Sequence, residues 1–229
     1  VLTGLLAHNL RFRPTPELVE KAGASETALL RSHLGADQLI DYASYYLNGL
    51  LAAKQVVHGV LMEVMGIGVL LTGRSAVGKS ELALELISRG HRLVADDVPE
   101  FTRTGPDTLH GTCPELLQDF LEVRGLGILN IRAMFGDNAI KRGKNLRLIV
   151  DLVQRQPGNG SEADRLHGRQ HVRELLAGEG PQVKLPVAPG RNLAVLVEAA
   201  ARNQILRYGG YDAAADFTRR HRAELEGGG

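Results

Sequence analysis

Cysteine is almost absent from this sequence, since Cys113 is the only one among 229 residues. A single thiol excludes a disulfide framework within the chain and favours a reducing compartment. Cys113 stands directly before Pro114, and no catalytic motif surrounds it. We therefore interpret Cys113 as a small residue in a turn, and we expect the protein to be cytoplasmic.

An excess of charge of one sign and a long apolar run are also missing. The net charge is +1, which favours neither nucleic acid nor an anionic membrane as a partner. The longest apolar stretch, "GVLMEVMGIGVLLTG", contains Glu63 and is too short for a bilayer core of about 30 Å. The opening segment, "VLTGLLAHNLRFRP", lacks a basic leader and a small-residue cleavage site. We expect a protein that binds neither nucleic acid nor membrane.

The hydrophobic content, 44% of 229 residues, suffices for one well-packed α/β domain with a fragment of a second. "TPELVEKAGA" predicts a short helix with Thr15 as N-cap and Pro16 at the first helical position. Gly35–Ala53 has apolar residues at helical spacing. Because the chain begins with Val1 and ends in three glycines, we expect it to be part of a longer protein.

The residue pattern changes near Val56, where apolar segments typical of strands begin. "VVHGVLMEV" alternates like a strand, with His58 inside it, and "IGVLLTG" reads as a central strand buried on both faces. A glycine-rich loop, a helix over residues 79–89 and the strand "HRLVADD" follow. This order predicts the βαβ unit of a nucleotide-binding sheet. From the pattern alone, His58 is a core or edge residue rather than a catalyst.

The loop "GRSAVGKS" fits the phosphate-binding pattern G-x-x-x-x-G-K-[ST]. Its backbone N–H groups and the positive end of the following helix would face phosphate oxygens. Lys79 would reach the β- and γ-phosphates, and the Ser80 hydroxyl would ligate Mg²⁺. The predicted nucleotide-binding residues are Gly73, Arg74, Ser75, Ala76, Val77, Gly78, Lys79 and Ser80.

Two pairs of charged residues are further candidates for the site. Asp96 and Asp97 end a predicted strand beside the loop, where one carboxylate would bind Mg²⁺ and the other accept a proton. The alternative is a turn with solvated carboxylates. Glu122 and Arg124 lie two apart in "EVRGLGILNI", so in a strand they would share a face and one cleft. Alone, this second pair reads better as a surface ion pair.

The turn "LPVAPGRN" is the last segment that is a candidate for the functional site. It is either a plain strand-to-helix connection or a loop that lowers Arg191 onto a phosphate. A strand over "NLRLIVDLVQ" precedes it, and helices over "NLAVLVEAAARNQILRYGG" and "DAAADFTRRHRAELE" follow.

These segments together resemble one family, HPr kinase/phosphorylase. The resemblance rests on His58-Gly-Val, the loop with "SELALELISRGHRLVADD", "LEVRGLGILNI", "DRL" and "PVAPGRN", in the family's order. It implies an α/β fold of the HPr kinase and phosphoenolpyruvate carboxykinase type, with a mixed central sheet and flanking helices. Residues 55–229 would be the catalytic domain, and residues 1–54 the end of an N-terminal domain with a linker.

The resemblance also implies the reaction and its partners. The family phosphorylates a serine of the phosphocarrier protein HPr with ATP or pyrophosphate, and phosphate removes the group again as pyrophosphate. A homohexamer and a role in carbon catabolite regulation are implied as well. By motif, Lys79 and Asp97 would be catalytic, with Asp97 taking the serine proton. Ser80 and Glu122 would hold Mg²⁺.

The remaining active-site positions implied by the resemblance are His58, Arg124, Arg165 and Arg191. The Leu121–Asn130 block would serve both directions, and Pro186–Arg191 chiefly dephosphorylation. Two positions depart from the family's usual residues. Ala76 stands where glycine is frequent, which matters if that position needs a positive φ, and His167 replaces the glycine that usually follows "DRL".

Two other functions fit part of this pattern. A P-loop kinase for a small molecule would use Pro186–Arg191 as an ordinary connection. A nucleotide-binding sensor without turnover would keep Lys79 and Ser80 but have no use for Asp97.

Overall fold

The computed structural model describes residues 5–9, 14–51, 54–105, 108–154, 170–175 and 178–227. Their contacts group the chain into two compact units, residues 1–52 and residues 53–229.

The first unit contains two strands and two helices. Strands β1 (Leu5–Asn9) and β2 (Ala28–Ser32) pair in parallel, and helices α1 (Pro16–Ala24) and α2 (Ala36–Leu51) follow them in turn. Thr15 caps α1, because its Oγ1 accepts the N–H of Leu18 at 3.4 Å. Both predicted helices are thus present.

The second unit contains one large sheet, a separate two-stranded antiparallel hairpin and flanking helices. Its strands are β3 (Lys54–Val56), β4 (Val60–Val64), β5 (Ile67–Gly73), β6 (Arg92–Ala95), β7 (Glu100–Gly105), β8 (Thr108–Thr112), β9 (Phe120–Val123), β10 (Gly127–Asn130), β11 (Gly143–Gln154), β12 (Gln170–Leu175) and β13 (Gly178–Val187). Its helices are α3 (Lys79–Ser88), α4 (Ile131–Phe135), α5 (Leu193–Tyr208) and α6 (Ala213–Gly227). Described helices long and apolar enough to cross a membrane were not found.

The sheet is mixed and splits at β11. Its strand order is β3-β7-β8-β11-β5-β4-β6. The first residues of β11 pair antiparallel with β8, whereas its last six pair in parallel with β13, and β5 runs parallel along the other edge. Strand β12 pairs with β13. The predicted α/β fold with a mixed sheet and flanking helices is confirmed.

Two apolar cores cover the two faces of this sheet. The larger core packs Leu82, Leu86 and Ile87 of α3 and Val197 of α5 against the centres of β5 and β11. The smaller core, around the fully buried Phe101, fills the opposite face. Cys113 packs against this second core, and burial raises the pKa of its thiol to about 11. The thiol is therefore protonated and unreactive near neutral pH.

The strand predicted over "VVHGVLMEV" starts too early, so the predicted start of β4 is wrong. Residues 57–59 precede β4, which begins at Val60 and shows no alternation, since four of its five residues are buried. The reason is that both faces of β4 are covered, with Val60, Met62 and Val64 in the larger core and Leu61 in the smaller one. Met65 and Gly66, both at positive φ, form the tight hairpin to β5.

Candidate active site

Two candidate segments leave the same edge of the sheet. Because β5, β11 and β13 are parallel, their carboxyl ends lie together, with Gly73 paired to Leu152 and Leu152 paired to Leu185. The loop of residues 73–80 continues from β5, and the turn of residues 188–192 continues from β13. One strand separates the two starting points, so they lie about 10 Å apart across the sheet. This edge is where α/β sheets bind ligands.

The phosphate-binding loop has the conformation that its sequence requires. Gly73 has φ of +142°, and a Cβ there would lie 2.6 Å from the carbonyl oxygen of Leu152. Gly78, at φ +98°, caps α3, and its carbonyl accepts the first helical N–H from Leu82 at 3.0 Å. The Lys79 Nζ lies across the loop, 3.3 Å from the Gly73 oxygen and 3.2 Å from the Arg74 oxygen. The ammonium therefore stands at the mouth of the loop.

Ala76 occupies a position that does need a positive φ, since its φ is +61°. The left-handed region costs an L-residue with a Cβ roughly 1–2 kcal/mol. Strain of this kind is held in place by surrounding structure and clusters at functional sites. Because alanine replaces the family's frequent glycine here, the backbone of the loop is strained at Ala76.

A cleft opens in front of this loop. The residues that line it come from the loop, the first turn of α3, the end of β6 and the β9–β10 hairpin, and they are Ser75, Ala76, Gly78, Lys79, Ser80, Glu81, Asp96, Asp97, Glu122 and Arg124. Both charged pairs singled out in the sequence thus face the loop lysine. Glu81 joins them and was missed, because one acidic residue in a first helical turn reads as an ordinary helix start.

The two neighbouring aspartates have different environments. Asp96 is half-buried, and its Oδ2 accepts the backbone N–H of Glu122 at 2.8 Å. Burial raises the pKa of Asp96, although that N–H and the N–H of Asp97 act in the opposite direction. The Asp97 side chain is 77% exposed, its φ is +63°, and its Oδ1 lies 3.6 Å from Nδ1 of His58. Asp96 thus joins two strands, whereas Asp97 points into open cleft.

Glu122 and Arg124 reach one cleft for a reason other than the one expected. Glu122 lies in β9, but Arg124 follows the end of β9 in the turn to β10, where Gly125 and Gly127 have positive φ. The prediction that the two residues share one face of a strand is therefore wrong. The hairpin turn brings Arg124 to the cleft, and β9 brings Glu122.

His58 lies in the connection before β4 and not inside an apolar strand, as the sequence pattern suggested. Its side chain is 84% exposed and faces Asp97. The main chain holds the two segments together, because the N–H of Gly59 donates to the Asp97 carbonyl at 3.1 Å. A period-2 pattern could not reveal this, since the contact joins residues almost forty apart.

Among the described residues, one predicted arginine, Arg191, is not part of the cleft lining. Arg191 follows Gly190, whose φ is +77°, and its Nη1 donates to the Pro186 carbonyl at 3.4 Å. This bond closes the Pro186–Arg191 turn on itself, and Asn192 then caps α5. Arg165, with the rest of the "DRL" segment and His167, lies outside the described residues.

The donor set of the cleft suits a hard divalent cation. The Ser80 hydroxyl and the Glu122 carboxylate line it together, and oxygen ligands of this kind are those of Mg²⁺. In the part of the chain that the structure describes, three or more His, Cys, Asp or Glu do not converge as a metal cage. Magnesium needs no such cage, because it takes its other ligands from water and phosphate.

Comparisons with known proteins agree with one another. Residues 49–221 match the family described as HPr Serine kinase C-terminal domain. An HPr kinase/phosphorylase from Stenotrophomonas maltophilia is 54% identical over 218 residues, covering 94% of this chain and 69% of that protein. One from Xanthomonas euvesicatoria is 55% identical over 212 residues, covering 92% and 67%.

A solved structure agrees as well. The Hpr(Ser) kinase/phosphatase from Coxiella burnetii matches with a TM-score of 0.64 and 34% identity, covering 71% of this chain and 98% of that one. The chain belongs to the HPr kinase/phosphorylase family.

Proposed function

We propose that this protein transfers phosphate to a serine of HPr and removes it again by phosphorolysis. ATP is the donor, with pyrophosphate as a second donor, and inorganic phosphate is the acceptor in reverse. The observation that supports this most is the single cleft in which Lys79 and Ser80 of the phosphate loop face Asp97, Glu122 and Arg124. A passive nucleotide sensor would have no use for the exposed carboxylate opposite the lysine.

In the forward direction the serine hydroxyl attacks the γ-phosphorus of ATP. A new bond forms between the serine oxygen and phosphorus, the bond to the β-phosphate oxygen breaks, and ADP leaves. The serine proton goes to the Asp97 carboxylate, which is exposed and within 3.6 Å of His58. Lys79 balances the charge on the β- and γ-phosphates.

In the reverse direction an oxygen of inorganic phosphate attacks the phosphorus of phosphoserine. The bond to the serine oxygen breaks, that oxygen takes the proton held by Asp97, and pyrophosphate leaves. Both reacting groups are anions, so cations must offset their repulsion. We assign this work to Lys79 together with Arg191, whose planar guanidinium suits phosphate oxygens. Arg165 completes the arginines that we assign to the site.

Magnesium is the expected cofactor, and Ser80 and Glu122 would hold it. When bound, it would supply positive charge to offset the negative charge of the phosphate groups. Asp96 supports Glu122 through the backbone N–H that it accepts. We assign His58 to hold and orient Asp97, because the two side chains face each other at the cleft.

The setting of the enzyme is part of the same proposal. We propose a cytoplasmic homohexamer whose residues 55–229 form the catalytic domain and whose residues 1–54 come from a preceding domain and linker. Its control of HPr would serve carbon catabolite regulation.

Mass spectrometry of HPr tests this function. HPr is incubated with the protein, ATP and Mg²⁺, and the phosphorylated product is then isolated and incubated with the protein and phosphate. We expect a gain of one phosphoryl group on serine, then its loss with pyrophosphate formed in equal amount. HPr that stays unmodified, while a small molecule in a metabolite mixture gains the phosphate, would instead support the small-molecule kinase.

A further inference from the structure

A charged cluster lies behind the site, between the helix of the phosphate loop and the helix that follows Arg191. Glu198, in α5, is only 7% exposed. It accepts a bidentate pair of hydrogen bonds from Arg89, with Nε to Oε1 and Nη2 to Oε2 both at 2.8 Å. His91 Nε2 lies 3.0 Å from the same Oε1, and His91 is 8% exposed. Arg89 caps the C-terminus of α3.

The packing of α5 alone does not explain why this carboxylate is buried. Taking a charge out of water costs several kcal/mol, and a buried ion pair is seldom more stable than apolar residues of the same volume. What a bidentate arginine–carboxylate pair adds is geometry, since two parallel bonds fix both distance and orientation. The cluster therefore fixes how α5 lies against α3.

The two joined helices both start at the edge that carries the site. Both follow parallel strands, β5 and β13, and both pack on the larger core, so they run back from that edge on one face of the sheet. At 1.5 Å per residue, Arg89 lies about 15 Å behind Lys79, and Glu198 about 7.5 Å behind Leu193. A slide of α5 along its axis moves Arg191 relative to the phosphate loop, and the pair of Arg89 with Glu198 opposes that slide.

The apolar anchoring of the two helices is unequal. Helix α3 buries Leu82, Leu86 and Ile87 besides one alanine, whereas the buried apolar residues described for α5 are Val197 and two alanines. Larger buried side chains resist displacement more, because each buried methylene contributes about 0.8 kcal/mol. Loss of the ionic contact should therefore displace α5 and leave α3 and the phosphate loop in place.

We propose that Glu198 is a positioning residue for phosphorolysis. Through Arg89 and His91 it fixes α5, and thereby the turn that presents Arg191 to the attacking phosphate. This inference rests on the proposed function of Arg191. It goes beyond that function, because it predicts that a buried charge remote from the cleft sets the balance between phosphorylation and its reversal.

The test compares both rates in Glu198→Gln, which keeps the shape of the side chain and removes its charge. A displacement of 1 Å costs about 10²-fold in rate, so we expect the ratio of phosphorolysis to phosphorylation to fall at least about tenfold. ATP affinity, measured by calorimetry, stays unchanged. The exposed Arg202→Gln, on the same helix, is the matched control and keeps the wild-type ratio.

Arg89→Lys provides a second variant if Glu198→Gln does not fold. It keeps the charge but not the two-pronged contact, and it should also lower the ratio. The double variant Arg89→Lys/Glu198→Gln should be no worse than Glu198→Gln, because both changes break one contact. An unchanged ratio, or an equal loss of both rates in folded protein, overturns the inference. A wild-type protein without phosphorolysis would instead refute the proposed function itself.

Discussion

Asp97→Asn tests the assignment of the proton acceptor, and the geometry makes it a clean substitution. The side chain is 77% exposed, so its replacement leaves the core untouched. Its φ of +63° is tolerated by asparagine, whereas alanine would add roughly 1–2 kcal/mol of strain. The bond from Gly59 N–H to residue 97 uses the backbone carbonyl and is kept. Asparagine cannot accept the serine proton, so the chemistry alone should fail.

The size of the effect follows from the role. General-base catalysis contributes about 10²–10⁴-fold, and each tenfold step equals about 1.36 kcal/mol of barrier. We therefore expect phosphorylation of HPr and its reversal each to slow by about 10²–10⁴-fold, with a barrier higher by about 3–5 kcal/mol. Both rates are measured from the fraction of phosphorylated HPr under single-turnover conditions, and calorimetry should show that ATP binding is kept.

Asp96→Asn is the matched control for this substitution. Its amide oxygen can still accept the N–H of Glu122, so the strand contact is preserved and the losses should be smaller. If Asp96→Asn is the more damaging change in both directions, or if Asp97→Asn keeps wild-type rates, the assignment of Asp97 as the base is refuted.

Three further substitutions extend the test. Lys79→Ala removes the ammonium at the loop mouth, so ATP affinity measured by calorimetry should fall strongly in a folded protein, and unaltered affinity would remove the phosphate-loop interpretation. Arg191→Ala should slow phosphorolysis more than phosphorylation, because the forward nucleophile is a neutral hydroxyl, and an equal loss would make Arg191 a common ligand. The contact with Arg89 lowers the pKa of Glu198 to about 2, below its ordinary 4.5, so its contribution to stability is complete above pH 4.5 and is lost as the pH falls towards 2. The difference in Tm between wild type and Glu198→Gln should therefore shrink as the pH falls from about 5 to about 2.5. A difference that is constant with pH would contradict this.

The parts of the fold that local pattern controls were predictable from the sequence. The loop from Gly73 to Ser80, its preceding strand and α3 follow from glycine positions and a buried apolar run. The cap of α1 by Thr15 is equally local. Strand β4 could not be bounded by pattern, because burial on both faces abolishes the alternation on which the prediction depended.

Long-range contacts were beyond the sequence pattern. The separation of His58 and Asp97 in the sequence does not indicate that Nδ1 of His58 lies 3.6 Å from Oδ1 of Asp97. The bond between Asp96 and the Glu122 N–H joins residues 26 apart, and the bonds between Arg89 and Glu198 join residues 109 apart. The resemblance to a family raised His58 and Glu122 as candidates, but the roles of Asp96 and Glu198 emerge only from the folded structure.

The most direct test of bifunctional chemistry follows a labelled phosphate. Phosphoserine-HPr is incubated with the protein, Mg²⁺ and isotopically labelled inorganic phosphate, and the products are separated. Attack by phosphate on phosphoserine predicts one labelled pyrophosphate for each HPr dephosphorylated, with loss of both products in Lys79→Ala. Dephosphorylated HPr without labelled pyrophosphate would show that water is the acceptor and would contradict the shared mechanism of the two directions.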